Sequence, residues 1–491
     1  MEYELVIGLE VHAQLLTQSK MFCACSADYA SALPNTHVCP VCLGMPGVLP
    51  TINRKAVEYT VMTALALNCS IPEASKFDRK NYPYPDLMKG YQISQYDAPL
   101  SHDGWLDIET DGQVKRKGII RVHLEEDTAK LVHRTSEAGE SCSLVDANRA
   151  GVPLMEIVGQ PDLRFPEEAR QYLIKLRTIL RYLGVSTGNM EEGSFRCDAN
   201  ISIRPAGSDV LMPKVEVKNM NSFKAVFQAL EYEAGRQKKL VGDGGRTVQE
   251  TRGWDDQRGV TVSQRSKEQA HDYRYFPEPD LPPLLLRSGW VSDLRDRLPE
   301  LPDAMRQRLV EQYGLSSYDA RLLTSSKALA VFFEECLSAD GPGRPIEELR
   351  RRAKSVANWL NGDFSRLLNA AGLEIDSQKV TSRQLTEFVS LMDKGAITGP
   401  AAKQVFDEMF ATGRNAAEII AEKGLALLDN VDEVKRIVGE VIAANTQAVV
   451  DLKAGKQQIL TFLVGQVMRA SRGRASPQQV KEFLQEELGV K

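Results

Sequence analysis

No run in this 491-residue chain approaches the eighteen or so consecutive apolar residues that a membrane-spanning helix needs. Charge of one sign is also scarce: 61 Lys and Arg stand against 66 Asp and Glu, a formal net charge of -5. A polyanionic partner must therefore meet a local patch. The opening MEYELVIGLEVHAQ puts acids ahead of its apolar stretch, the reverse of a secretory signal, so a cytoplasmic protein is expected. Cysteine is limited to eight, and in a reducing compartment paired thiols hold metal more often than they form disulfides.

Several catalytic signatures are missing as well. The chain has no G-x-x-x-x-G-K-[ST] and no strand-borne G-x-G-x-x-G, and GDGGRT from Gly242 reads as a loop. A nucleotide, if bound, would lie on an open antiparallel sheet. There is no G-x-S-x-G elbow and no zinc-ligating H-E-x-x-H. Cys69, Cys142, Cys197 and Cys336 lack a local nucleophile signature.

The length suggests about three domains at roughly 150 residues each. Up to about residue 290 the chain holds all six histidines and many short alternating stretches, which reads as strand-rich α+β. The proline-dense FPEPDLPPLLL from Phe276 marks a boundary. Beyond it, apolar residues recur at three- and four-residue spacing, as in SSYDARLLTSSKALAVFFEECL, and predict helices.

Cys23-x-Cys25 and Cys39-x2-Cys42 form two close pairs within twenty residues. Such pairs present four thiolates tetrahedrally, the donor set of a structural zinc site, with His37 as a substitute ligand. Four thiolates leave no open position for catalysis, so the loop is expected to be scaffold.

The strands that follow carry charge at every second residue. Glu10 and His12 share one face of LVIGLEVHAQ, and Arg121, His123, Glu125 and Asp127 share one face of IIRVHLEEDTAKL. Arg196, Asp198, Asn200, Ser202 and Arg204 alternate with apolar residues in SFRCDANISIRP, as do Lys214, Glu216 and Lys218 in PKVEVKNM. Each strand should bury one side and show charge on the other. A solvated outer face is the ordinary account of one such strand. The set departs from it by mixing carboxylates, histidine, arginine and lysine with few threonines or tyrosines. Glu156 stands alone inside the apolar GVPLMEIVG, where an unpaired carboxylate is costly. An arginine partner would satisfy it, as would a divalent metal shared with His12 and Glu125. Carboxylates beside Arg and Lys on one sheet face suit phosphoryl transfer.

Eight segments together resemble one family. IGLEVHAQL, CPVCLGMPGVLP, YPYPDLMKGYQISQYDAPL, HLEEDTAKL, DANRAGVPLMEIV, EEGSFRCDANIS, VEVKNMNSF and HDYRYFPEPDLPP occur in the order seen in the B subunits of heterotrimeric aspartyl/glutamyl-tRNA amidotransferases. The resemblance runs from about residue 3 into the C-terminal helices. It implies an α+β fold: an antiparallel-sheet catalytic domain related to glutamine synthetase and guanido kinases (1–292), an all-α domain (293–405) and a small helical tail domain (406–491). It also implies an activity, the ATP-dependent conversion of misacylated Glu-tRNA(Gln), or Asp-tRNA(Asn), to the amide.

The same resemblance assigns roles. His12, Glu125 and Glu156 would hold Mg²⁺, with Glu10 close behind. Lys218 joins this catalytic set, while Ser194, Arg196, Asp198 and Asn200 surround nucleotide phosphates or the activated acyl group. The chain shows no amidase or glutaminase pattern, so ammonia would come from a glutaminase A subunit, clamped by a small C subunit. Lys80, Tyr82, Asp86 and Lys89 are the candidates for lining its channel, and His271, Asp272 and Arg274 for facing the site. The alternatives are an ordinary turn-rich loop and a purely structural wrap.

From Leu452 to Val480 there is no acidic residue, while Lys453, Lys456, Arg469, Arg472 and Arg474 fall within it. This basic island is the expected contact for a tRNA backbone, setting affinity and not base readout. A solubilising helix end is the plain alternative. Two rival functions stand beside the amidotransferase: a non-catalytic, zinc-stabilised tRNA-binding scaffold, and a zinc hydrolase built on the cysteines.

Overall fold

A computed structural model describes residues 2–135, 139–266, 272–339, 341, 344–428, 431–453, 456–471 and 473–490. The chain divides into two compact units, Met1–Leu301 and Pro302–Lys491.

The first unit opens with β1 (Tyr3–Gln14), α1 (Arg54–Ala66), β2 (Ala74–Ser75), β3 (Asp78–Asn81) and β4 (Tyr91–Ser94). Then come β5 (Ser101–Thr110), β6 (Gln113–Glu126), β7 (Lys130–Thr135), β8 (Ser141–Asp146) and β9 (Pro153–Gly159). α2 (Pro166–Leu183), β10 (Phe195–Pro205), β11 (Val215–Lys218) and α3 (Phe223–Gly242) follow. β12 (Glu250–Asp255), β13 (Val260–Ser266), β14 (Phe276–Pro277), β15 (Leu284–Leu285) and α4 (Ser288–Asp296) complete it.

Among the described residues eight strands form one sheet in the order β13-β12-β11-β10-β1-β9-β6-β5. Every pairing in it is antiparallel except β11 with β12. Its apolar face explains itself from sequence. Leu9, Val11 and Ala13 of β1 and Cys197, Ala199 and Ile201 of β10 alternate inward and join the core with Leu173, Leu176 and Leu180 of α2 and Val226 and Leu230 of α3. Helix ends are specified locally. The Asn53 side chain accepts the N–H groups of Lys55 and Ala56 at the start of α1, a cap worth about 1 kcal/mol. α2 starts with proline in its first turn and ends on Gly184 at φ 67°.

Helices cover one side of the sheet, so the alternate residues face the other. There the register draws lines across the strands. Arg196, His12, Glu156 and His123 are direct cross-strand partners in sequence along β10, β1, β9 and β6. Asp198 and Glu10 pair one step along. β14, β3 and β4 form a separate three-stranded sheet.

The second unit's secondary structure is helical throughout its described residues, as its spacing predicts. Trp359 lies 4.8 Å from the ring of Phe388 and 5.3 Å from that of Phe406 in its first core. A second cluster runs from Leu428 to Leu488 and includes Val438, Leu463 and Leu484. The expected boundary at residue 405 falls inside the helix Gly399–Thr412, which Thr398 caps and Pro400 opens. The protein is thus mixed α+β, with a large antiparallel-dominated sheet and a helical C-terminal region.

Candidate functional site

Glu156 is the centre of the polar face. Among the described residues no arginine pairs with it; its partners are two histidines. His12 Nε2 lies 3.3 Å and His123 Nε2 3.2 Å from the same Glu156 oxygen. Glu125 closes the group, 3.8 Å from each imidazole, and Ser94 Oγ donates to its other side at 2.9 Å. One ligand atom each from His12, Glu125 and Glu156 lies within 4.8 Å of the others. Two carboxylates and an imidazole at this spacing fit the inner sphere of a divalent cation, and three ligands leave coordination positions for water or phosphate oxygens.

The electrostatics are those of a strongly coupled cluster. Burial pulls His123 down, yet Glu156 and Glu125 lift its pKa to about 9. His12 is raised by the same two carboxylates and by Asp198 against the pull of burial. Burial pushes Glu156 up, and the two histidines overcome it, holding the carboxyl well below its ordinary value.

The simple alternation of buried and charged sides fails at the end of β6. His123, Glu125, Glu126 and Asp127 are all buried, because other elements cover both faces there. Glu126 takes Lys89 at 2.5 Å and the Ile93 N–H at 3.0 Å. Asp127 accepts from Gln14 at 2.7 Å and from Arg196 at 3.1 Å. Burial pulls Arg196 down, but Asp127 outweighs it and keeps the guanidinium above its usual range.

Of the other expected residues, Glu10 accepts from Asn200 at 2.9 Å. Lys218 bridges Asp198 and Glu216. Ser194 turns away from the face, with Oγ 2.6 Å from Thr187 and 3.0 Å from the Asn189 N–H it accepts. The four residues expected along the channel separate. Lys80 faces the metal-type cluster: burial lowers its pKa, but Glu125, Tyr275, Tyr82 and Glu156 hold it above its ordinary range. Its Nζ sits 4.9 Å from the Tyr273 ring and 5.8 Å from the Tyr82 ring. Asp86 accepts from Thr128. Lys89 instead lines a cavity of about 230 Å³, with Cys42, Gly44, Arg79, Tyr91 and Glu126. Asp272 and Arg274 are exposed; His271 lies outside the described residues.

The four cysteines of the loop after β1 converge, their sulfurs within 4.8 Å of one another. Cys39 and Cys42 are 3.9 Å apart, against about 3.8 Å for tetrahedral zinc at a Zn–S distance near 2.3 Å. The Cys23 thiol donating to Cys42, together with the Cys39 N–H and Lys20, pulls Cys42 down to about 4. His37 is not among the converging ligands. Gly44 has φ +67°, and a Cβ there would fall 2.9 Å from the Lys89 Cα, so only glycine lets the loop close on β4's approach. From the same loop Tyr29 exchanges hydrogen bonds with Gln14, at 3.0 and 3.1 Å. The cysteine loop thereby reaches the residue that holds Asp127.

Strand pattern alone missed the place of His123, which depends on register between β6 and β9. Ser94 and Tyr29 carry no signal in the sequence. In the tail, Lys453 and Arg469 are exposed, and Lys456 pairs with Asp451 at 3.2 Å. Arg474 donates to the Ser471 carbonyl at 3.3 Å. Arg472 lies outside the described residues. No helix is long and apolar enough to cross a membrane among the described residues.

Comparison with known proteins places the chain. The GatB/GatE catalytic domain matches residues 5–292, and the GatB domain matches residues 345–488. The B subunit of the aspartyl/glutamyl-tRNA(Asn/Gln) amidotransferase of Dehalococcoides mccartyi (strain ATCC BAA-2266 / KCTC 15142 / 195) is 58% identical over 490 residues, 99% of each chain. Its namesake in Carboxydothermus hydrogenoformans is 55% identical over 487 residues, again 99% of each. That in Thermomicrobium roseum is 55% identical over 488 residues, 99% of both chains. The chain therefore belongs to the GatB/GatE family, alongside proteins named as B subunits of aspartyl/glutamyl-tRNA(Asn/Gln) amidotransferases.

Proposed function

We propose that this chain performs the ATP-dependent step of tRNA-dependent amidation. A side-chain carboxylate is a poor electrophile. In this reading ATP phosphorylates the side-chain carboxylate of Glu on tRNA(Gln), or of Asp on tRNA(Asn), and ammonia then expels phosphate. The observation that carries the reading is the convergence of His12, Glu125 and Glu156 on the polar face of the sheet. Magnesium at these residues would neutralise phosphate oxygens.

The chain's own residues supply the rest. Arg196, braced by Asp127, and Lys218, braced by Asp198, offer fixed positive charge along the same face. Lys80 brings a third cation to the Glu125 side. Asn200 and Glu10 form a neighbouring polar pair. In this reading the fold is related to glutamine synthetase and guanido kinases, and the polar face serves phosphoryl transfer.

Ammonia would be delivered by a glutaminase A subunit, with a small C subunit as clamp, and the cavity bordered by Lys89 and Glu126 is a segment of its route. Zinc at Cys23, Cys25, Cys39 and Cys42 is structural. The C-terminal tail holds the tRNA backbone through Lys453, Arg469 and their neighbours. The catalytic domain is 1–292, and the boundary between the middle and tail domains lies past the helix Gly399–Thr412.

The test uses the assembled complex. Glu125→Ala should abolish ATP-dependent phosphorylation of the charged tRNA; persistence at the parental rate refutes the metal assignment. A scaffold would show no ATP hydrolysis stimulated by misacylated tRNA. A zinc hydrolase would lose turnover, and not merely stability, on chelation.

A further inference from the structure

Lys20 is wholly buried, at 0% exposure. A buried ammonium is costly unless an opposite charge faces it. Yet among the described residues no carboxylate lies within ion-pair distance of Lys20. Its Nζ donates to the His37 carbonyl at 2.8 Å and the Ala147 carbonyl at 3.3 Å, and lies 3.7 Å from the Cys42 sulfur. Two carbonyl dipoles satisfy two of its three hydrogens but do not neutralise it.

The missing charge is next door. Four thiolates around one zinc dication leave two negative charges, and Cys42, the ligand nearest Lys20, is itself buried. The backbone binds the two elements together: the Lys20 N–H donates to the Cys25 carbonyl at 2.9 Å, and the Met21 N–H donates to the Gly151 carbonyl. The loop that carries the metal ligands is thus attached on both sides of the lysine. We propose that Lys20 is the counter-charge of the four-cysteine site: its ammonium donates to the Cys42 thiolate, offsets the negative metal–thiolate group and fixes that group against the Ala147 turn. It is a positioning residue for the metal and touches no substrate. The proposal rests on the structural-zinc reading.

The experiment measures zinc affinity of the full chain by competition with a chromophoric chelator, for the parental protein, Lys20→Gln and Lys20→Met. Glutamine keeps a donor for the two carbonyls and removes only the charge. Both variants should bind zinc about 10- to 100-fold more weakly, as loss of an outer-shell partner does. Melting adds a sign test. With zinc loaded, Lys20→Met should melt below the parental chain; with zinc chelated it should melt at or above it, because the buried cation has lost its partner. Equal losses in both states, or parental zinc affinity in Lys20→Gln, overturn the proposal. A parental chain that binds no zinc refutes the metal reading itself. Should neither variant fold, the parental chain loaded with cadmium decides. The Lys20 ammonium resonance shifts on metal loading if it donates to the thiolate, and stays in place if the carbonyls are its only partners.

Discussion

His12 and His123 approach the same oxygen of Glu156 from the two strands that flank it, at 3.3 and 3.2 Å. Direct cross-strand pairing on both sides of β9 makes this inevitable once the register is set. Replacing Glu156 with Gln removes the charge both imidazoles answer to. The amidation rate of the assembled complex should fall about 10²- to 10³-fold, the loss typical of one electrostatic contact to a developing charge. Glutaminase turnover by the partner is the control and should persist.

Asp127, just past the end of β6, holds the Arg196 side chain of β10 and is itself buried. Asp127→Asn leaves the guanidinium without its carboxylate. It should cost about 1–3 kcal/mol in denaturant unfolding and raise the KM for ATP more than it lowers kcat. An unchanged KM would detach Arg196 from nucleotide binding.

Glu168 bears on stability alone. Burial pushes its pKa up, while Lys117 at 2.8 Å, the Arg164 N–H and Lys115 pull it further down, leaving it below the ordinary carboxylate value. A depressed folded pKa contributes stability above the unfolded value, near 4.3, and that contribution fades as pH falls through the folded one. Glu168→Gln should therefore destabilise the chain at pH 7 by about 1–3 kcal/mol. The gap to the parental protein should narrow below about pH 4, as chemical unfolding at each pH would show.

Removing zinc should loosen the loop and leave the sheet folded. Chelation is expected to lower the melting temperature and open cleavage sites between residues 23 and 50 to protease, with recovery on adding zinc back. Protection that is unchanged by chelation would deny the loop its metal.

The tail makes a salt-dependent prediction. Lys453→Glu and Arg469→Glu should each weaken tRNA binding and reduce the slope of log affinity against log salt by about 1. Affinity for ATP should not move.

Much of this arrangement was legible in the sequence. The alternation in SFRCDANISIRP places Arg196, Asp198 and Asn200 on one face, as β10 does, because a strand with one apolar side can bury it in only one way. The paired cysteines converge as their spacing suggests. His123 was harder to read. Its partner Glu156 is distant in sequence, and which residues meet across β6 and β9 is set by pairing that no local pattern encodes. The burial of Asp127 and the partners of Glu126 were invisible for the same reason: Lys89, Gln14 and Arg196 arrive from separate segments. Ser194, expected near the phosphates or the activated acyl group, bonds within its own turn, a short-range contact that a strand pattern does not reveal.

Manganese in place of magnesium examines the metal-binding face most directly. Titrated into the full chain and followed by electron spin echo spectroscopy, it should occupy a site with nitrogen coupling that vanishes in His12→Ala and an affinity that collapses in Glu125→Gln. If both variants keep the parental coupling and affinity, the ion lies elsewhere, and the three side chains do not form the centre on which phosphoryl transfer is built.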